Sequence, residues 1–154
     1  MIRDAKPESV RIACDKLVKL SGRSAYLEFA LLSALSSRNK DIPGAALEAF
    51  ASSKDFLVRE TTGLILARHG HIEGIEILFN ELDAADARGC ELVMGSLESL
   101  IGHAFDAPPN SKSADAEEKL KAWKAAATEW RLANVPKLEY IRDAKAGEPI
   151  WAKK

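Results

Sequence analysis

The sequence predicts an all-α fold built as a stack of antiparallel helical hairpins, and three observations predict it. Two segments, Val58-Arg59 to Gly70 and Ala87-Arg88 to Gly102, read as successive copies of one unit, 29 residues apart (59 to 88). A recurring helical unit that cannot bury its apolar face alone must stack on a neighbour. The composition is 47% apolar but only 6% aromatic, rich in Ala and Leu, whereas strands favour β-branched and aromatic residues. The breaks between apolar-periodic segments over residues 55–102 are a few residues long, which makes neighbouring helices antiparallel. At 154 residues the chain is one domain by length, with a core that needs no staples. The expectation is an α-solenoid of about seven helices. Hairpins occupy about 7–36, 42–69 and 71–105, a capping helix about 115–134, and residues 135–154 form an irregular tail.

The elements follow in order. Pro7 suits a first helical turn, with Glu8 complementing the helix dipole. Val10, Ala13, Leu17 and Leu20 recur at helical spacing, and Gly22 supplies a left-handed stop. Ser24 caps a second helix that is apolar on nearly every side, from Tyr26 to Leu35, and so is packed on several sides. Pro43 opens a short third helix with Ala46, Leu47 and Phe50 on one face. Asp55 is the N-cap of the fourth, which ends at Gly70. The fifth, about 71–82, carries a stripe of Ile72, Ile75, Leu78, Phe79 and Leu82. The sixth, about 87–105, buries Val93, Leu97, Leu100, Ile101 and Ala104. The DAPPNSKS stretch at 106–113 is a loop. Asp115 and Glu118 make a capping box for the seventh helix, which stops near Asn134, ahead of Pro136. Its Leu120, Trp123, Ala127 and Trp130 share one face and read as a lid on the last hairpin. The tail repeats IRDAK, at 141–145 and at 2–6; chance explains a five-residue match more readily than similar junctions flanking the unit in a longer array.

Charge and cysteine content restrict the function classes. Lys and Arg number 22 against 23 Asp and Glu, a balance that argues against nucleic acid as partner. Cys14 and Cys90 lie far apart in helical patterns and fit two buried thiols in a reducing compartment better than a disulfide or a zinc motif. The N-terminus lacks the apolar core of a signal peptide, and no apolar run is long enough to span a bilayer. A cytoplasmic protein without membrane contact is expected. No phosphate loop, nucleophile elbow or paired metal motif occurs.

A turn Asp, then Val-Arg, then a helix closing on small apolar residues and Gly, resembles HEAT repeats. Asp55, Val58, Arg59, Ala67 and Gly70 carry the likeness once. Asp83 or Asp86, with Ala87, Arg88, Leu97, Leu100 and Gly102, carries it again. Residues 97–132, an L-x-x-L-x-G helix followed by a loop and a helix with paired tryptophans, look like the closing segment of bacterial HEAT-repeat proteins. The resemblance covers about 41–134. Thr61, Thr62 and Gly63 depart from the alanines the pattern prefers, and Val10-Arg11 lies 48 residues before Val58-Arg59, out of step with the repeat. The resemblance implies a scaffold or binding surface with no shared catalytic residue. Its relatives that handle a bilin in the phycobilisome-lyase group suggest a second function, and HEAT-like folds that bind damaged DNA a third.

Several side chains are candidates for that binding. Arg59 and Arg88 hold matching places in the two copies. They either tie neighbouring repeats through Asp55, Asp83 or Asp86, as the resemblance implies and as a planar guanidinium suits, or grip an acidic partner. Arg88, Glu91, Gly95 and Glu98 make a polar stripe opposite the sixth helix's core face, and Gly63 and Gly95 either allow close helix approach or are tolerated costs. Trp123 and Trp130, near Lys119, Lys121, Lys124 and Arg131, are read as anchors rather than base-stacking platforms. Trp151 docks either in a partner's groove or back onto this domain. His69 and His71 have no third ligand nearby in sequence, His103 lying 32 residues further on (71 to 103), so neither metal nor cofactor is expected. The expected function is a non-catalytic protein-interaction or scaffold module, contacting a protein partner through a concave face of the fourth and sixth helices.

Overall fold

The structure, a computed structural model, describes residues 51–109, 112–113, 115–145 and 147–154, together with Lys19, Ser24, Glu28, Leu32, Leu47 and Phe50. Most of the first hairpin and of the third helix, with Cys14 and the first IRDAK, lies outside the described residues. Glu28, Leu32, Leu47 and Phe50 are helical and buried.

The chain is mostly helical. The described elements are α1 (Phe56–Arg68), α2 (Ile72–Ala84), α3 (Ala87–Ile101), α4 (Ala116–Asn134), a 3-10 turn (Val135–Lys137) and two short strands, β1 (Leu138–Tyr140) and β2 (Trp151–Lys153). They correspond to the predicted fourth to seventh helices and the tail. The chain divides into two compact units, Met1–Ile77 and Leu78–Lys154, with the division inside α2.

In the first unit, the Asp55 carboxylate accepts the Val58 N–H at 3.2 Å, which caps α1 as expected. At the other end Gly70 sits at φ 85°. Its N–H donates to the Ala67 carbonyl and the His71 N–H to the Leu66 carbonyl, at 3.1 and 3.0 Å. Those two bonds are the Schellman arrangement that glycine permits. α1 is buried on most sides, through Val58, Glu60, Thr62, Gly63, Ile65, Leu66 and Ala67. Thr62, placed where an alanine was expected, satisfies its hydroxyl by donating to the Val58 carbonyl at 2.7 Å. The turn then brings Gly74 of α2 so near α1 that a Cβ there would collide with the Ala67 nitrogen and the Gly63 carbonyl. The close approach is thus made possible by Gly74, and Gly63 enters it through its backbone carbonyl. Gly95 has nothing within 4 Å of such a Cβ, so it is a tolerated cost.

The second unit packs α3 and α4 with the C-terminal half of α2. Asp86 caps α3 by accepting the Gly89 N–H at 2.9 Å. Cys90, Val93, Leu97, Leu100 and Ile101 form its buried stripe. α3 stops earlier than predicted, at Ile101, because Gly102 turns left-handed at φ 63°. The Glu98 carboxylate then accepts the Phe105 N–H at 2.9 Å, which turns the chain away, and Ala104 is exposed rather than buried. The predicted capping box at Asp115 is also absent. Asp115 makes no side-chain cap bond and pairs instead with Lys119 at 2.8 Å.

Within residues 135–154, expected as an irregular tail, the 3-10 turn leads into two antiparallel strands, β1 and β2. Leu138, Glu139 and Tyr140 oppose Lys153, Ala152 and Trp151. Two bonds anchor the pair: Ile141 N–H to the Ile150 carbonyl at 2.8 Å, and Ile150 N–H to the Leu100 carbonyl, at the end of α3, at 2.9 Å. Gly102 also meets this segment, since a Cβ there would lie 2.6 Å from Pro149 Cγ.

Candidate functional site

Of the five residues the sequence singled out, three are spent on holding the fold. The Arg59 guanidinium donates to the Ser53 carbonyl at 2.7 Å. The Ser53 hydroxyl donates to the buried Glu28 carboxylate at 2.6 Å and accepts the Asp55 N–H at 3.2 Å. Arg59 therefore secures the turn before α1, whose Ser53 in turn satisfies the buried Glu28 carboxylate. Glu98 ends α3 as described above. Trp151 is buried in β2, its ring 5.4 Å from that of Tyr140. Of the two roles considered for it, docking back onto this domain is the one seen.

Arg88 and Glu91 are different. Both are exposed on α3, and neither side chain has a hydrogen bond or ion pair among the described residues. With Leu92, 46% exposed, Gly95 and Ser99, they form the outer face of the helix, opposite the buried stripe. The expectation that Arg88 ties repeats through turn aspartates is not met. The caps explain why. Asp55 and Asp86 are 31 residues apart (55 to 86), not 29, so Arg59 is the fourth residue of α1 and Arg88 the second of α3. Aligned on their caps, Arg59 matches Cys90, and Arg88 matches the exposed Leu57.

The basic side chains of α4 are mostly occupied. The Lys124 ammonium donates to the carbonyls of Asp83 and Ala85 at 2.8 and 2.6 Å, where a cation offsets the carbonyls left open at a helix C-terminus. Arg131 reaches Asn80 at 3.0 Å and Asp83 at 3.8 Å. Beside Lys124 lies the Cys90 thiol, buried, outside any disulfide, and donating to the Leu82 carbonyl at 3.5 Å. Burial, reinforced by Asp86 and Asp83 and opposed by Lys124, holds its pKa above the ordinary value.

Between the loop after α3 and α4 lies a half-open cleft of about 240 Å³, lined by His103, Phe105, Asp106, Trp123, Trp130 and neighbouring alanines. Three of its rings interlock. His103 lies parallel to Trp130 at 4.6 Å, and Phe105 stands nearly perpendicular to both, at 4.6 and 5.3 Å. The far side of the cluster adds Phe79, stacked with Trp130 at 5.9 Å. Trp123 has no ring partner among the described residues. Its indole N–H donates to the Asp106 carbonyl at 2.7 Å, which fixes the ring at the cleft. The sequence marked both tryptophans as anchors; Trp130 is one, and Trp123 is a wall. Sequence reading had no signal for the cleft, because His103, Phe105 and Asp106 sit where a helix was predicted to end and a loop to begin.

Among the described residues no group of three His, Cys, Asp or Glu side chains is arranged to hold a metal ion, and no helix is long and apolar enough to cross a membrane. No family model, curated protein or solved structure matches the chain.

Proposed function

We propose that the protein is a non-catalytic interaction module, a short HEAT-like solenoid that contacts a protein partner through the outer face of α3. The observation that carries the reading is the state of Arg88 and Glu91. Two exposed, opposite charges, whose side chains have no partner among the described residues, adjoin the exposed Leu92 on a helix whose other side is buried. Charges left unpaired at a surface cost the fold nothing and remain free to set the register of a complementary partner. The other candidate residues bear structural duties, which leaves this face as the strongest choice.

The two alternatives fare less well. A bilin carries carboxylates that need cations, and no Lys or Arg lines the aromatic cleft. Nucleic acid needs free cations, whereas Lys119, Lys124, Arg131 and Lys154 are engaged within the chain.

Affinity capture from the source organism's lysate tests the reading, with the wild-type chain and an Arg88→Ala/Glu91→Ala variant as baits. A partner retained by the wild type and lost by a variant of unchanged melting temperature supports it. Equal capture by both baits rules this face out.

A further inference from the structure

We propose that the cleft lined by His103, Phe105, Trp123 and Trp130 is a seat for a soft organic cation, a methylated ammonium group. The inference is independent of the α3 reading, because no lining residue belongs to that helix's outer face.

The aromatic cluster already accepts cations from its own chain. The Arg131 guanidinium lies over Phe79 at 5.8 Å and the Lys153 ammonium over Trp130 at 5.5 Å. A ring face attracts positive charge through its quadrupole, and indole does so best. Trp123 is the one large ring of the group with neither a cation nor a ring against it among the described residues. It is also held in place, so using its face costs little ordering entropy.

Charge at the cleft points the same way. Asp106 is the only carboxylate among the lining residues, and no lysine or arginine is among them, the Lys153 ammonium meeting Trp130 from outside the lining. Its carbonyl holds the Trp123 N–H, so the contact that fixes the ring also fixes the acidic residue beside it. The Asp106 side chain is exposed and has no partner among the described residues. A negative group beside a π face disfavours phosphates and carboxylates and favours a cation. Alanines complete the lining, Ala126 and Ala127 among them, which disfavours a strongly hydrated bare ammonium and suits one whose charge is spread over methyl groups. The cavity, about 240 Å³, is below the roughly 300–1,000 Å³ of clefts that enclose whole drug-sized ligands. It fits a head group.

The test follows the three indole N–H resonances of the full chain by nuclear magnetic resonance during titration. The probes are choline, its uncharged tert-butyl isostere, and a short peptide carrying trimethyl-lysine. Choline or the peptide is expected to shift the Trp123 resonance saturably, with the isostere roughly tenfold weaker. Tighter binding of the peptide identifies a modified protein side chain as the source, and tighter binding of choline a free small molecule. Asp106→Asn, an exposed change that leaves the fold intact, is expected to weaken binding several-fold, and Trp123→Leu to abolish it. No saturable shift at Trp123, an isostere that binds as well as choline, or full affinity in Asp106→Asn would each overturn the proposal.

Discussion

α1 and α3 open on similar signals, an aspartate cap and an arginine, yet they are buried in opposite ways. α1 is enclosed on most sides and includes Glu60 and Thr62 in its interior. α3 divides cleanly into a buried stripe and a free face. The lesson is that the arginine's role follows from its distance to the cap. At the fourth helical position it reaches back to the preceding turn; at the second it points to solvent. A helix wholly occupied by packing is a structural post, and one with a spare face is available for contact.

Substitutions can break that contrast or sharpen it. The largest effect is expected from Leu97→Asp, which puts a carboxylate on α3's buried stripe. A loss of about 4 kcal/mol or more, read as unfolding in circular dichroism, follows from burying an unpaired charge. A normal melt would mean that the two sides of α3 are misassigned. Gly74→Ala comes next, since its methyl collides with rigid α1 backbone, and roughly 2–3 kcal/mol should be lost in urea denaturation. Arg59→Ala should cost about 1–2 kcal/mol by releasing the Ser53 carbonyl, while Arg88→Ala should leave stability within about 0.5 kcal/mol. Equal effects from the two arginines would erase the distinction between the helices. Gly95→Ala, on the open side of α3, is expected to raise stability by about 0.5–1 kcal/mol through helix propensity alone. A loss instead would show that this side is covered.

Much of the described helical framework was legible in the sequence. Asp55, Gly70 and Asn134 bound their helices much as read, because capping and left-handed turns are local chemistry that the residues announce themselves. The buried stripe of α3 followed from periodicity. What escaped was non-local. Gly74 looks like an ordinary helical glycine until the turn at Gly70 folds it against α1. The register error between Arg59 and Arg88 arose because similar residue pairs were aligned rather than the caps that set helical phase. Strands of three residues have too little alternation to be seen, and β1 and β2 pair across a ten-residue connection. The one available signal was aromatic: Tyr140 and Trp151 are cross-strand neighbours, and such pairs stabilise short antiparallel ribbons. The cleft required the stacking of His103 on Trp130, a contact with no sequence periodicity behind it.

The placement of the tryptophans has an optical consequence. All three, Trp123, Trp130 and Trp151, belong to the unit Leu78–Lys154, while the unit Met1–Ile77 contains none. Emission excited in the indole band therefore reports one half of the chain and is blind to the other, whereas ellipticity of the helices reports both. Coincident emission and ellipticity transitions on heating would mark a single cooperative molecule. Separated transitions would time the two halves individually, with no dye or label added.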